Sequence, residues 1–357
     1  MDQVNTSSRV PAQTIAALIA DSLKAVGLSG ADAATCAELM LEADLTGADA
    51  HGVFRLPQYV KRLRAGGVNA RPNIRVEKTA AATAMVDGDN GMGHLVMARA
   101  AETAIELARD AGVGWVGVRG SNHAGAAGVY AAMPLAHGMV GIYGVVASAN
   151  HMPVWGGVES LLGTNPVAIA IPARQEAPIV LDIATSVVSY GTIKSHRLQG
   201  KPMPEGWMVN TKDGTPLTDA ARSSEGVLLP IGAYKGSGLA LVLGLLAGPL
   251  NGAAFGREVF DFNYNDTDVC NTGHFIVALD VRRFTPLETF KAEMDRHLRD
   301  LRTSKPLPGF DSVRLPGQER RSRRADRLKN GVPLPRELIA QLDQFAGELG
   351  IKPLGAR

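Results

Sequence analysis

Cysteine and aromatic residues are scarce: two cysteines and 5% aromatics in 357 residues. Cys36 and Cys270 cannot build a disulfide framework, and neither lies in a CxxC or Cys/His cluster. Cys36 falls in a helical apolar pattern and reads as a small core hydrophobe. Charge of one sign is also missing. A net charge of +2 makes no general case for nucleic acid or an anionic membrane as partner. No apolar run is long enough to span a bilayer, since the longest, 238–250, is broken by glycine and proline. The N-terminus, Met-Asp-Gln-Val-Asn-Thr-Ser-Ser-Arg, lacks the apolar core of a signal peptide. The expectation is a cytoplasmic, soluble protein, long enough for roughly two domains of about 150 residues each.

Hydrophobic residues make up 45% of the chain and charged residues 20%, which is enough for a sizeable core. Glycine is in excess, with 40 residues against a usual share of about 7%. Most of the excess falls between residues 88 and 252. Tight turns explain much of it, and backbone packed against a flat ligand is the expected reason for the rest.

The first 70 or so residues read as helices. Ile15, Ile19, Leu23 and Val26 share a face closed by Gly27, and Ser29 or Asp32 caps a second helix carrying Cys36, Leu39 and Met40. Pro57 is tolerated only in a first helical turn, so a third helix begins near 53–57 and ends at Gly66-Gly67. From about residue 75 the period changes. Segments 84–86, 113–118, 140–146, 167–171, 179–181 and 275–279 read as strands. Between them lie a helix with Leu95, Ala98, Ala101, Ile105 and Ala108 on one face, stopping at Gly112, and another starting near Lys235. Helix returns after Pro286, at 319–329 and at 335–349. This order predicts a central α/β domain flanked by a helical domain built from both chain termini.

The densest chemistry lies in Asp49-Ala50-His51-Gly52-Val53-Phe54-Arg55-Leu56-Pro57-Gln58-Tyr59. An imidazole, a guanidinium and a phenol recur at four-residue intervals beside a glycine that admits close approach. Such a set suits chemistry on a small carboxylate. His51 falls at a helix N-terminus, where the dipole lowers its pKa, so a donor role requires a carboxylate partner. Asp182, at a strand end, is the candidate. His51, His123 and His151 each neighbour glycine or proline in loops. His94, His137, His196, His274 and His297 lie in helix or strand contexts, where a satisfied structural imidazole is expected.

A Rossmann fingerprint is missing: Gly91-Met-Gly93 has Val96 where the third glycine belongs, and Lys235-Gly236-Ser237-Gly238 fails likewise. Phosphate-binding backbone is still available at 120–125, 151–157, 163–166, 182–186 and 235–238. No HxH or HExxH spacing supports a metal, and no GxSxG elbow supports nucleophilic catalysis. The run Arg320-Arg321-Ser322-Arg323-Arg324 with Arg327, interleaved with acids, reads as a solvated helix face. From charge alone it could also reach a 2′-phosphate, which would favour NADP.

With these segments in view, the chain resembles the type-2 malate/L-lactate dehydrogenases, NAD(P)-dependent oxidoreductases whose fold is not Rossmann. The likeness runs through 49–59, 120–125, 151–157, 163–166, 181–186, 235–241 and 315–319 in order, so it covers nearly the whole chain. It implies an α/β fold with a central mixed, largely antiparallel sheet at 76–310 that binds NAD or NADP, and a helical domain of 1–75 plus 311–357. It implies a homodimer acting on a small 2-keto or 2-hydroxy acid of malate/lactate type, without metal. Cyclic imino acids (piperideine- or pyrroline-2-carboxylate), ureidoglycolate and sulfolactate are alternatives within the family. By position, His51 is the proton donor with Asp182 as charge partner. Arg55 pairs with the substrate carboxylate, Tyr59 lines the pocket, and His123 is catalytic or contacts substrate. His151, Thr164, Thr185, Ser186, Lys235, Gly236, Gly317 and Glu319 fall where members contact the cofactor. Ala50 departs from the pattern, because many members carry a serine there that relays between histidine and aspartate. The rivals are a metal-dependent hydrolase using His51, His123 and His151, and a non-catalytic nucleotide-binding protein.

Overall fold

The structure is a computed structural model, and it describes residues 7–357. The part of the N-terminal reading that rests on residues 1–6 lies outside the described residues. Strand β1 (Ser7–Val10) leads into α1 (Ala12–Ala25), which buries Ile15, Leu18, Ile19 and Leu23 completely. Each of these four side chains contributes roughly 1.5–3 kcal/mol. Ser29, not Asp32, caps α2 (Gly30–Thr46) by accepting the Asp32 N–H. Two single 3₁₀ turns, Asp49–His51 and Val53–Arg55, come before α3 (Leu56–Ala65), which has Pro57 in its first turn and ends at Gly66. The break from helix to 3₁₀ turns sets the direction of the His51 and Arg55 side chains.

The middle of the chain carries β2 (Arg75–Ala80), β3 (Thr83–Asp87), α4 (Gly93–Ala111), β4 (Val113–Ser121), α5 (Ala127–Ala132) and β5 (Met139–Val145). It continues through β6 (Met152–Pro153), β7 (Ser160–Leu162), β8 (Val167–Ile171), β9 (Ile179–Ile183) and α6 (Tyr190–Leu198). Then come β10 (Met208–Asn210), β11 (Gly226–Leu228), α7 (Tyr234–Ala247) and β12 (Thr272–Asp280). Four elements close the chain: α8 (Leu287–Arg302), α9 (Gln318–Asn330), β13 (Val332–Pro335) and α10 (Arg336–Glu348).

Seven strands form one sheet in the order β2-β3-β4-β12-β5-β8-β9. Only β3 and β4, joined through α4, run parallel; every other neighbouring pair is antiparallel. This is the mixed, largely antiparallel α/β arrangement that the resemblance implied. Strand β12 enters the centre late in the chain, and nearly all of it is buried. Helices α4 and α5 cover one face through Val96, Ala100, Ala104 and Tyr130. Phe275, Val277 and Ala247 of α7 form the core on the other face.

Many glycines sit at helix ends and turns with positive φ, among them Gly112, Gly138 and Gly206, as expected. Others meet the protein itself. A Cβ on Gly144 would lie 2.4 Å from the Phe275 ring on the neighbouring strand, and one on Gly117 would lie 2.1 Å from Asn251 Oδ1. Packing leaves no room there for any side chain.

A second core draws on both ends of the chain. Ile15, Leu23, Met40 and Leu56 pack with Val332, Leu334, Leu342 and Ala346, and β1 pairs antiparallel with β13. A third cluster, not anticipated, joins Met152, Leu162, Ile193, Met208, Leu228 and Ala240. It sets α6 beside the loops that follow the central strands. Among the described residues, no helix is long and apolar enough to cross a membrane.

Candidate active site

The 49–55 segment rests on a buried carboxyl. Asp44, in the last turn of α2, is 1% exposed, and its Oδ2 accepts the Val53 N–H at 2.8 Å. A Cβ at residue 52 would lie 1.9 Å from Asp44 Oδ1. Gly52 is therefore required by the carboxyl beneath it. Burial pushes Asp44 up to about 8 despite the Val53 N–H, and Asp49 adds to the rise while Arg327 opposes it. Arg327 of α9 bonds to Asp49 and to the Asp44 carbonyl, so the C-terminal segment holds this turn in place.

Above the turn is a cavity of about 90 Å³ lined by Ala50, His51, Arg55, His123, Ala147, Ala149, His151, Thr164, Tyr190, Lys194, Phe262 and Asn263, among others. The His51 and His123 rings stack with centroids 5.8 Å apart and an interplanar angle of 7°. Phe262 stacks on His123 at 5.0 Å and 10°. The Tyr59 hydroxyl lies 2.7 Å from His123 Nδ1. Arg55 donates through Nε to the Ala50 carbonyl (3.0 Å) and through Nη1 to Asn263 Oδ1 (3.1 Å). Its Nη2 has no protein acceptor among the described residues. His51, Arg55, Tyr59 and His123 are thus brought together, and His151 and Thr164 line the same cavity.

Burial, and then the Arg55 charge, hold His51 down to about 4. The helix dipole is not the cause, because His51 sits in a 3₁₀ turn ahead of α3. His151 stacks on Tyr190 at 3.8 Å and 8° and is lowered to about 4, chiefly by burial.

Asp182 does not meet His51. Its Oδ2 accepts the Gly128 N–H at 2.8 Å and lies 3.7 Å from Arg320 Nη1. Among the described residues, no hydrogen bond or ion pair joins it to His51. Burial raises its pKa while Gly128 and Arg320 oppose the rise. The cause is tertiary: α9 brings Arg320 to this carboxylate, so Arg320 is no part of a solvated face.

The other expected cofactor contacts form two groups, one around Thr185 beside Thr164 and Gly236, the other at Gly317 and Glu319. The Thr185 hydroxyl is fully buried and donates to the Thr164 carbonyl at 2.8 Å, while Ser186 Oγ donates to the Val188 carbonyl at 2.7 Å. Lys235 is exposed at the start of α7. Gly236 is needed because a Cβ there would lie 2.3 Å from the Ile231 carbonyl oxygen. Just before them Ala233 has φ +59°, a strained conformation for alanine. Gly317 and Glu319 line a separate depression of about 410 Å³ with Ser312, Arg314, Arg320 and Arg323.

Among the remaining histidines, His274 is satisfied by Tyr143 and Ser121, His196 by the Pro202 carbonyl, and His137 faces Arg109. His297 lies beside Glu293 and Arg296 on an exposed face. His94 departs from expectation. It is 1% exposed, stands edge-on to Tyr59 at 5.3 Å, and among the described residues neither ring nitrogen has a hydrogen-bond partner.

Sequence reasoning missed Tyr190, Lys194, Phe262 and Asn263. The last two sit in 261–268, a run of Asp, Asn, Tyr and Thr whose density of turn formers was a legible signal for a functional loop. Arg62 of α3 anchors that loop by donating to the Asp268 carbonyl at 2.7 Å and to that of Asn265. Lys194 carried no such signal. Among the described residues, no group of three His, Cys, Asp or Glu side chains could hold a metal ion.

The cavity suits a flat ring beside the imidazoles. Ala147 and Ala149 form a small-residue wall, and Asn165 fixes it by accepting the Ala147 N–H at 3.0 Å and donating to the Ala240 carbonyl at 2.8 Å. A guanidinium and an imidazole facing one small space fit redox chemistry on a carboxylic acid, and the class is that of the NAD(P)-dependent oxidoreductases. Comparison with known proteins is more specific: residues 10–343 match the malate/L-lactate dehydrogenase family, to which this chain belongs. The malate dehydrogenase of Pyrococcus abyssi is 36% identical, over 97% of this chain and 96% of that protein. The L-sulfolactate dehydrogenase of Methanocaldococcus jannaschii is 37% identical, over 94% and 95%. The solved malate dehydrogenase of Pyrococcus horikoshii superposes with a TM-score of 0.89 at 33% identity, covering 99% of this chain and 98% of that one.

Proposed function

We propose that the chain interconverts a small 2-oxo acid and its 2-hydroxy acid, of malate or lactate type, with His51 moving the proton. The observation that carries this reading is the free Nη2 of Arg55 in the same cavity as the stacked His51 and His123 rings. A nicotinamide held there supplies or accepts the hydride. Arg55 fixes the substrate carboxylate, and with it the face of the carbonyl that reacts.

His51 does the rest. Its lowered pKa keeps it neutral near pH 7 and suited to take the proton of a hydroxy acid. A carboxylate on Arg55 offsets the second cause of its lowered pKa. Substrate binding therefore raises His51 towards the range in which it can donate a proton to a forming alkoxide.

The nicotinamide end of the cofactor would rest against Ala147, Ala149, Thr164 and His151. The Gly317–Glu319 turn would take the distal end, with Lys235 and the Gly236 amide as the proposed phosphate contacts at the strained turn. Glu319 already pairs with Arg314 (3.7 Å) and Arg323. A carboxylate between those arginines favours a free ribose hydroxyl, and hence NAD over NADP. The division into a helical domain of 1–75 plus 311–357 and a cofactor domain of 76–310 is part of the same reading. So is a homodimer, in which a second copy covers the apolar face of α7 at Leu239, Val242 and Leu245, all exposed.

The test is NADH and NADPH oxidation by the purified protein across 2-oxo acids, their sulfonated and ureido analogues, and cyclic imino acids. Turnover of malate- or lactate-type acids, with tighter NADH binding, is expected. Cofactor binding without turnover of any member would make the chain a binding protein and overturn the reading.

A further inference from the structure

The tautomer of His123 can be read from its surroundings. Its Nδ1 accepts the Gly125 backbone N–H at 3.3 Å and lies 2.7 Å from the Tyr59 hydroxyl. A backbone N–H can only donate, so Nδ1 carries no proton and the Tyr59 O–H also points to it. The single proton of the ring is then on Nε2. Gly125 is needed for this contact. Its φ is +77°, and a Cβ there would lie 2.9 Å from His94 Nε2. The His51 and Phe262 rings lie nearly parallel to it, with centroids 5.8 Å and 5.0 Å away, and hold its plane.

We propose that His123 serves the reaction as an uncharged hydrogen-bond donor, Nε2–H to the reacting oxygen of the substrate, and takes no part in proton transfer. The proposal rests on the functional reading above, in which His51 moves the proton. A second proton on Nδ1 would oppose the Gly125 N–H, and among the described residues no carboxylate contacts the ring. The groups that face it are Arg55, His51, His94 and His274, none of which favours a further positive charge, and Tyr59, which burial keeps un-ionised. Burial first, and then those groups, hold His123 well below the ordinary histidine range. Loss of the Nε2 proton would leave an imidazolate, so the ring is no acid either.

In the reducing direction, the carbonyl carbon gains the hydride and the nicotinamide is left oxidised. The carbonyl π pair moves to oxygen, and that oxygen takes the proton from protonated His51. His123 begins and ends with one proton, strengthening its bond as charge develops on the oxygen. One aimed donor of this kind is worth about 10²–10³ in kcat.

The test combines ¹⁵N-histidine spectra of the wild type from about pH 5 to 8 with pH profiles of H123Q and H123A. The His123 signal, assigned by its loss in H123Q or its shift in Y59F, should show a bare Nδ1 and a protonated Nε2 throughout. H123Q, whose amide can donate, should keep the pH inflection of kcat and more activity than H123A. Titration of His123, a proton on Nδ1, or loss of the inflection in H123Q would overturn the inference. The spectra decide the tautomer even if H123Q does not fold. An active wild type whose His123 titrates defeats this inference alone. A wild type inactive on every acid defeats the functional reading, and the proposed role with it.

Discussion

The interior of the sheet and the cavity beside it hold the same kind of group in opposite states. On β12, fully buried His274 is bonded at both nitrogens, to the Tyr143 hydroxyl at 2.8 Å and to Ser121 Oγ at 3.0 Å. At the cavity, among the described residues, neither nitrogen of His51 has a hydrogen-bond partner, and neither nitrogen of buried His94 has one. Burial lowers His274 to about 3 and His51 to about 4, so acidity alone does not separate them. Satisfaction does. An imidazole whose two nitrogens are occupied holds elements together, whereas one left open beside a clamped arginine is free to react.

His51→Ala should widen the contrast most. Loss of a placed acid–base group lowers kcat by about 10²–10⁴ while cofactor affinity in a binding titration stays as it was; unchanged turnover would end the assignment. Arg55→Lys comes next. A point charge does not reproduce the fork, and a charge-assisted bond worth about 1.5–3 kcal/mol corresponds to a KM increase of roughly ten- to a hundredfold. A KM equal to wild type would remove Arg55 from the carboxylate.

His274→Phe should act on the opposite side of the comparison. It strands the Tyr143 hydroxyl, at a cost of about 1–3 kcal/mol in urea unfolding, while Ser121 Oγ keeps the Asn122 carbonyl, and it leaves the pH profile of kcat unmoved. A shifted profile would show that the two histidines are not separate in role. The same substitution probes acid stability. His51, His94, His151 and His274 all have folded pKa values below the unfolded one. The unfolded chain therefore binds more protons between about 6.5 and 3, and stability falls as pH drops through that window. Removing His274 should flatten the fall.

Ala50→Ser should do least, about twofold or less in kcat, because Asp182 is bonded to Gly128 and Arg320. A large gain would mean that the serine relay operates after all and that Asp182 reaches His51 when substrate binds.

Much of the fold was legible because its signals are local. The face of α4 and its stop at Gly112, the start of α7 near Lys235, and Pro57 in the first turn of α3 follow from spacing and backbone sterics. The short pairs β6–β7 and β10–β11 were not legible, since strands of two or three residues carry no period. In the candidate site, the His51–Arg55–Tyr59 spacing marked residues that do converge with His123. Arg320 was misread because a cation among acids on a helix resembles a solvated face until the helix is docked. His94 was misread because its helical context says nothing of missing partners.

The chain alone determined which side chains stand a turn apart, where each helix stops, and that no Rossmann loop is available. These depend on contacts within a few residues. Only the tertiary structure decided that Asp182 bonds to Arg320 instead of His51, that Gly52 makes room for Asp44, and that the Gly125 N–H and the Tyr59 hydroxyl both meet His123 Nδ1. The Arg320 and Tyr59 contacts pair segments far apart in sequence, and burial removes water as an alternative partner. What each polar atom does was then settled by whichever group the fold placed within reach.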